Sequence, residues 1–274
     1  MASPSELLII GHIARDLLED GGYRAGGTAL YAAVTATRLG WRATVWTSAA
    51  TPPPAFPGVR VICLPSAHDT TFWNRYRGGH REQTLLSRAS PLTPDSFPPS
   101  PASVVLLGPI AQEVPPSWVE HFPRAIVGAC LQGWLRAWDA TGHVRWTPWR
   151  DAARWLPCFD AAFLSLEDLG GQRARVRALA SCAHLLVLTE GAQGATLFQE
   201  GRPLPVPAFP VAEVDPTGAG DVFAAAFLIR YAEGATPFQA ARFAAATAAL
   251  SVQGPGVEAV PDRSAVEALL AEVG

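Results

Sequence analysis

The stretch Asp215-Pro216-Thr217-Gly218-Ala219-Gly220-Asp221 is followed at once by the apolar run Val222–Ile229. Small residues let a loop backbone come close to a ligand. The helix after the loop would direct its unpaired N–H groups and the positive end of its dipole at an anion. The stretch therefore predicts a phosphate-binding loop at a helix N-terminus.

An acidic residue stands at the helical end of this loop. A carboxylate would repel phosphate unless it is placed to accept a proton, so we interpret Asp221 as a catalytic base. The N–H groups of Gly218, Ala219 and Gly220 would then stabilise the transferred phosphoryl group. The alternative is that Asp221 only caps the helix, since acids are favoured at helix N-termini.

The complete seven-residue string resembles the C-terminal signature of the ribokinase-like carbohydrate kinases, the PfkB family, whose last Asp acts as base toward a substrate hydroxyl. Further matches follow in the family's order at Gly11, Asp16, Gly26-Gly27, Thr189–Gly194 and 244–261. The resemblance implies an α/β fold, a ribokinase-like three-layer α/β/α arrangement with a mostly parallel central sheet and a small β lid.

Apolar periodicity independently predicts alternating strands and helices. Short apolar runs bounded by turn residues are typical of strands buried on both faces, and they occur at 7–10, 44–47, 59–64, 104–107, 125–129, 161–164 and 185–188. Segments compatible with helices are 28–39, 116–121, 167–182, 222–231, 237–252 and 264–272. This alternation favours a mostly parallel sheet with helices on both faces.

Residues 70–88 break the alternation and predict a β-hairpin, because β-branched and aromatic residues flank a Gly78-Gly79 turn. The resemblance implies that this hairpin, inserted at about 66–92, closes over the sugar as a lid; a plain surface hairpin is the alternative. Pro-rich segments at 51–58 and 91–101 predict loops. We expect residues 1–274 to form a single kinase domain.

The resemblance places acceptor contacts at Asp16, Gly26 and Gly27. Tyr31 stands where many relatives have Asn, and it either shapes the acceptor pocket or packs in the core. Asn74 is a candidate from the lid.

The segment Gln132-Gly133-Trp134-Leu135-Arg136 resembles a Gln-Gly-x-x-Arg segment of a subgroup that acts on myo-inositol and related polyols. Gln132 is expected to face the pocket, since ligands of open α/β sheets bind beyond the carboxyl ends of the strands. Arg136 either contacts substrate or phosphate or forms a surface ion pair.

On the donor side, the resemblance implies ATP and Mg²⁺, because clustered phosphate charge must be neutralised during transfer. The candidate nucleotide contacts are Ser165, Thr189, Gly191, Gly194, Thr217 and Gly256. The family commonly has Asn-x-x-Glu where this chain has Ser165-Leu166-Glu167-Asp168, which makes Asp168 and Glu167 the metal candidates. The alternative is an ordinary helix start with two acids. A monovalent cation near Asp215 is a further expectation.

Composition excludes several other classes of protein. All 21 basic residues are arginine, so a Walker P-loop and a Schiff-base mechanism are excluded. A net charge of -3 shows no basic excess, which argues against nucleic acid and membrane surfaces as partners. The first strand is not followed by the Gly-x-Gly-x-x-Gly of a Rossmann dehydrogenase. The four scattered cysteines predict buried thiols rather than a redox or zinc site.

The sequence thus predicts an ATP-dependent kinase that phosphorylates a hydroxyl of a small sugar or polyol. A nucleoside kinase of the same fold is one alternative, and a catalytically silent protein that binds a sugar or nucleotide to regulate a partner is another. Because neither a signal region nor a spanning apolar run is present, we expect a cytoplasmic protein, as a monomer or homodimer.

Overall fold

The computed structural model describes residues 5–77, 80–98, 100 and 102–273. These residues form fifteen strands: β1 Glu6–Ile10, β2 Ala14–Leu17, β3 Tyr23–Gly26, β4 Arg42–Ala49, β5 Val59–Pro65, β6 Thr71–Arg77, β7 His80–Ser87, β8 Val104–Leu107, β9 Ile126–Cys130, β10 Arg136–Trp138, β11 Val144–Trp146, β12 Ala161–Ser165, β13 Leu185–Thr189, β14 Ala195–Gln199 and β15 Arg202–Val206. They also form six α-helices: α1 Thr28–Arg38, α2 Ala152–Trp155, α3 Val176–Ala180, α4 Ala219–Ala232, α5 Pro237–Ser251 and α6 Arg263–Val273.

Nine of the described strands build the central sheet, in the order β15-β14-β13-β12-β9-β8-β1-β4-β5. Neighbours from β13 to β5 are parallel, whereas β14 and β15 are antiparallel. The carboxyl ends of parallel strands meet at one edge of a sheet, where ligands bind. The segments that follow β1, β9, β12 and β13 therefore open on the same edge.

The sheet is covered on both faces. Side chains alternate along a strand, so Leu7 and Ile9 pack on one face with α1, α4 and α5, while Leu8 and Ile10 pack on the other. That second face is covered by a cluster that includes Trp118, Trp155 and Leu179. The result is the expected three-layer α/β/α arrangement.

Local signals explain where the helices on the first face begin. Gly27, with φ of 87°, precedes α1, and Thr236 caps α5. The Thr236 side chain accepts the N–H of Gln239, and the Gln239 side chain accepts the N–H of Thr236. Pro237 fills the first helical position, where no N–H is needed.

Two expectations about local structure are wrong, and a third, the helix at 116–121, is present but of the 3₁₀ type. The edge strand β5 is half-exposed along its length rather than buried on both faces. The helix expected over 167–182 is interrupted at Gly170 and Gly171, which have φ of 61° and 73°, so only α3 and short 3₁₀ turns form. The segment Pro116–His121 is a 3₁₀ helix.

The cysteine prediction holds for one thiol of four. Cys130 is buried, but Cys63 and Cys158 are exposed and Cys182 is half-buried. In the described part of the chain, the helices lack the combination of length and apolar character that crossing a membrane requires.

A second, four-stranded sheet has the order β3-β2-β6-β7. The predicted hairpin is present as β6 and β7, although its Gly78-Gly79 turn lies outside the described residues. Register places Asp16 opposite Arg24 and Phe72, and Asn74 opposite Gln83, so these side chains share one face of the small sheet. The hairpin β10–β11 meets this sheet through an N–H···O bond from Leu85 to Gly142 of 2.9 Å.

Candidate active site

Two helix N-termini, those of α1 and α4, meet at Asp221. This residue lies half-buried in the first turn of α4, after Gly218 with φ of 79°. Thr28, the first residue of α1, is fully buried, and its hydroxyl donates a 2.7 Å hydrogen bond to Oδ1 of Asp221. Thr28 was not singled out by the sequence, because nothing in its neighbours indicates a partner 193 positions away.

Tyr31 lies one turn further along α1 and supports the loop before α4. Its side chain is only 2% exposed, and a Cβ at Gly218 would overlap its ring. Burial raises the pKa of the Tyr31 phenol, and the nearby carboxylates of Asp215, Asp221 and Asp16 raise it further. The structure therefore places Tyr31 in the core beneath the loop, among three acids that the sequence had assigned to different parts of the site.

The carboxylate of Asp215 fixes the conformation of the loop 214–218 through hydrogen bonds. Thr217 and Gly256 donate their N–H groups to Asp215, at 3.0 and 3.3 Å, and Nη1 of Arg24 donates to Asp215 Oδ2 at 3.3 Å. Burial alone would raise the pKa of Asp215, but these hydrogen bonds and the Arg24 charge hold it below its ordinary value. Arg24 extends from the small sheet, and sequence spacing gave no signal for this contact.

The phosphate-binding prediction needs one qualification. The N–H of Ala219 donates to the carbonyl of Pro216 at 3.2 Å, so this group is engaged within the loop. Gly220 stands close to the end of β13, since a Cβ there would lie 4.0 Å from Oγ1 of Thr189. The structure thus brings Thr189 to the same place as the predicted loop.

The remaining donor-side glycines lie just beyond β13. Gly191 and Gly194 have φ of 58° and 89°, and a Cβ at Gly194 would overlap the carbonyl of Val206. Between them and β13, Glu190 accepts hydrogen bonds from Arg173 at 2.6 Å and from Thr196 at 2.8 Å. The Arg173 hydrogen bond lowers the pKa of Glu190.

On the acceptor side, Asp16 lies against Gly26, where a Cβ would overlap Oδ2 of the carboxylate. Asn74 donates to Asp16 Oδ1 at 3.0 Å, and Gln83 donates to Asn74 Oδ1 at 2.8 Å. The predicted contacts Asp16, Gly26 and Asn74 are therefore brought together. Gln83, which orients Asn74, was missed because its role depends on hairpin register.

Gln132 and the predicted metal residues meet at the ends of β9 and β12. Gln132 Nε2 donates to Asp168 Oδ1 at 3.2 Å, while Asp168 Oδ2 accepts from the N–H and the hydroxyl of Ser165 at 2.8 and 2.9 Å. Glu167 is exposed on the adjoining 3₁₀ turn.

Across the residues that the structure describes, no group of three or more His, Cys, Asp or Glu side chains could hold a metal ion. Mg²⁺ usually retains several waters and binds through one or two carboxylates together with substrate phosphates. The residues present fit an ion of that kind, carried mainly by donor phosphates beside Glu167 and Asp168.

Arg136 lies between the main body and the small sheet. Its Nη1 donates to the carbonyl of Ile110 at 3.3 Å, and its guanidinium lies 5.9 Å from the centre of the Phe72 ring. Gln112 donates to the Arg136 carbonyl at 2.6 Å. These contacts position the β10 strand next to the acceptor side.

A buried polar cluster around His12 connects β1 to the segments that flank the hairpin. His12 Nδ1 is 2.7 Å from the Thr70 hydroxyl, and Nε2 is 3.0 Å from the Ser90 carbonyl. Burial lowers the pKa of His12. The fully buried carboxylate of Glu113 accepts the N–H of His12 at 3.2 Å and that of Ala111 at 2.7 Å. Both ends of the hairpin are thereby tied to the central sheet.

Comparison with known proteins assigns these features to a family. A model described as pfkB family carbohydrate kinase matches residues 156–263, which include Asp168, Thr189 and Asp221. Residues 156–263 are therefore similar to the pfkB family of carbohydrate kinases. The resemblance to the PfkB family that the sequence indicates is thereby confirmed. The matched segment contains the donor-side loops and the candidate base.

Curated relatives match over limited stretches. Ribokinase of Bacillus subtilis (strain 168) is 45% identical over 94 residues, covering 34% of this chain and 32% of the relative. Inositol 3-kinase of Zea mays is 32% identical over 154 residues, covering 54% and 39%. The chain therefore spans between about a third and two fifths of the length of these relatives.

Solved structures match over almost the whole chain. A pyrophosphate-dependent kinase in the ribokinase family, complexed with a pyrophosphate analog and myo-inositol, superposes with a TM-score of 0.79 and 24% identity. The match covers 96% of this chain and 99% of that one. The ribokinase-like fold predicted from the sequence is confirmed.

Proposed function

We propose that this chain is a kinase that transfers the terminal phosphoryl group of ATP to a hydroxyl of a small sugar or polyol. The observation that carries the proposal is the position of Asp221. It lies at a helix N-terminus beside a glycine loop, and its carboxylate accepts a hydrogen bond from Thr28, which directly follows Gly26 and Gly27. The pfkB match over residues 156–263, which include Asp221, supports a carbohydrate acceptor.

The proposed reaction is a direct in-line transfer. The acceptor hydroxyl gives its proton to the Asp221 carboxylate as its oxygen attacks the γ-phosphorus, and ADP leaves. The N-terminal dipole of α4 and the N–H groups of Gly218 and Gly220 offset the charge that develops on the transferred group. Bound Mg²⁺ would neutralise donor charge beside Glu167 and Asp168.

The inner face of the small sheet would orient the acceptor. Asp16 and Asn74 offer a carboxylate and an amide on one surface, and the missing side chain at Gly26 leaves room for the Asp16 carboxylate to lie against the backbone. Several adjacent hydroxyls can be bound in this way, which favours a polyol resembling myo-inositol. Gln132 and Arg136 are the further acceptor contacts in this proposal.

Two other functions follow from the same fold. A nucleoside kinase would need to accommodate the nucleobase of its substrate beside the small sheet. A catalytically silent regulator that binds a sugar or nucleotide would need no proton acceptor at Asp221. The cytoplasmic location, the monomeric or homodimeric state and the monovalent cation stay predictions.

The test is turnover of wild type and Asp221→Asn with myo-inositol, ribose and adenosine, using ATP or pyrophosphate as donor with Mg²⁺. We expect phosphorylated myo-inositol or ribose from the wild type with ATP, and a loss of about 10³-fold or more in Asp221→Asn with its melting temperature and ATP affinity preserved. Adenosine as the best acceptor would favour the nucleoside kinase. Turnover in the Asn variant close to that of the wild type, or silence of the folded wild type, would contradict the proposal.

A further inference from the structure

Packing fixes the orientation of the Thr28 side chain. Its side chain is 0% exposed, and Gly108, at the end of β8, lies so close that a Cβ there would stand 2.6 Å from the Thr28 methyl carbon. With the methyl group packed against Gly108, the hydroxyl points to Asp221 Oδ1 at 2.7 Å. A threonine at this position is therefore held in one rotamer by packing.

We propose that Thr28 is a positioning residue that fixes the Asp221 carboxylate for proton transfer and stabilises its ionised form. This inference rests on the proposed function, because it assigns Thr28 a role through the base. A hydroxyl that donates to a carboxylate restricts rotation of that carboxylate and favours its charged state.

The position of Thr28 also connects the base to the acceptor side. Thr28 follows Gly27 directly, and Gly27 lies so near the His12 carbonyl that a Cβ there would stand 2.9 Å from it. The backbone that a sugar would approach and the side chain that orients the base are thus consecutive residues.

Two titratable side chains that interact with Asp221 are not ionised in the acid range of a pH–rate profile. Tyr31 from α1 and Cys130 from β9 interact with Asp221, and burial raises the pKa of both side chains. Each therefore stays uncharged over the pH range in which a carboxylate base ionises. The acids Asp16, Asp215 and Asp168, which also lie near Tyr31 or Cys130, are the same in every variant, so a difference in the acid limb between the wild type and a Thr28 variant reports on Asp221.

The experiment compares Thr28→Val, which keeps the shape but removes the donor, with Thr28→Ser, which keeps the donor. Turnover is measured with ATP, Mg²⁺ and myo-inositol or ribose between pH 4 and 9. We expect Thr28→Val to lower kcat by about 10- to 100-fold, the equivalent of one hydrogen bond to a charged group, and to move the acid limb to higher pH. Thr28→Ser keeps the donor but lacks the methyl group that fixes the rotamer, so it should retain the position of the limb and lose less of the rate than Thr28→Val.

A merely structural role gives a different pattern. If Thr28→Val loses thermal stability and activity while the acid limb stays in place, or if Thr28→Ser is as slow as Thr28→Val, the positioning role is refuted. Thr28→Ala supplies a second donor-free variant should the valine fail to fold. An inactive Asp221→Asn together with a fully active Thr28→Val would overturn this inference and leave the proposed function intact.

A double-mutant cycle measured by thermal unfolding tests the inference even if no acceptor is phosphorylated. Melting temperatures of the wild type, Thr28→Val, Asp221→Ala and the double variant are compared. With the hydrogen bond as proposed, the double variant melts at a higher temperature than additive losses predict. Strict additivity would overturn it.

Discussion

Replacing Gly218 by alanine tests the packing of Tyr31 beneath the phosphate-binding loop. Gly218 has φ of 79°, and a Cβ would overlap the Tyr31 ring, so the change combines backbone strain with overpacking. The strain costs about 1–2 kcal/mol. Overpacking of a buried site adds about 1–3 kcal/mol.

Gly234 provides the matched control near the other end of α4. Its φ is 93°, but no atom of the described residues lies within 4 Å of the position that a Cβ would take, so Gly234→Ala carries the strain alone. For a domain of this size, 1 kcal/mol corresponds to about 2–4 °C in melting temperature. Gly218→Ala should therefore lower the melting temperature by about 4–20 °C, against about 2–8 °C for Gly234→Ala.

The assay is thermal unfolding followed by circular dichroism, with turnover measured on the same samples. Adding Tyr31→Ala to Gly218→Ala removes the overlapping ring, so the double variant should lose less stability than the sum of the single changes. Equal shifts for Gly218→Ala and Gly234→Ala, with additivity between Gly218 and Tyr31, would refute the packing argument.

Two further perturbations separate the acceptor side from the loop. Asn74→Ala removes a donor to Asp16, and it should raise the KM for the acceptor by about tenfold while the KM for ATP is unchanged; an equal rise in both would contradict the assignment. Arg24→Met should change the free energy of unfolding at neutral pH by less than about 1 kcal/mol, because Arg24 is 48% exposed. Because the folded pKa of Asp215 is depressed, its stabilisation is present above its ordinary pKa of 3.8 and is lost as pH falls through the folded value. Without Arg24 the folded pKa of Asp215 should be less depressed, so the loss should be smaller and complete at a higher pH, as urea unfolding at pH 3 to 6 would measure; an unchanged profile would exclude the charge contribution.

The sequence predicted elements whose signals are local. The glycine loop, the helix after it and the strands buried on both faces carry composition and periodicity that are visible within ten residues. The strand β5 was misjudged because its apolar run is the same as that of an interior strand, and only its place at the sheet edge exposes it. Gly170 and Gly171 were too weak a signal to divide the helix expected at 167–182.

Contacts between distant segments could not be predicted from one sequence. Thr28, Arg24 and Gln83 contribute through partners that only the fold brings near, and each is an ordinary residue in its own neighbourhood. Tyr31 is the instructive case, because helical spacing suited both a pocket wall and the core. Its ring lies under Gly218, so the glycine of the motif is explained by a residue outside the motif.

The first turns of α1 couple acceptor binding to phosphate-donor binding, so a change for one function affects the other. Thr28 contacts the candidate base and Tyr31 supports the donor loop, yet both belong to the helix that starts at the acceptor glycines. An engineer who enlarges the sugar pocket by altering this helix would also disturb phosphate handling. New acceptor preferences are therefore more accessible through β6 and β7 of the small sheet than through β3, whose Arg24 holds the loop before α4.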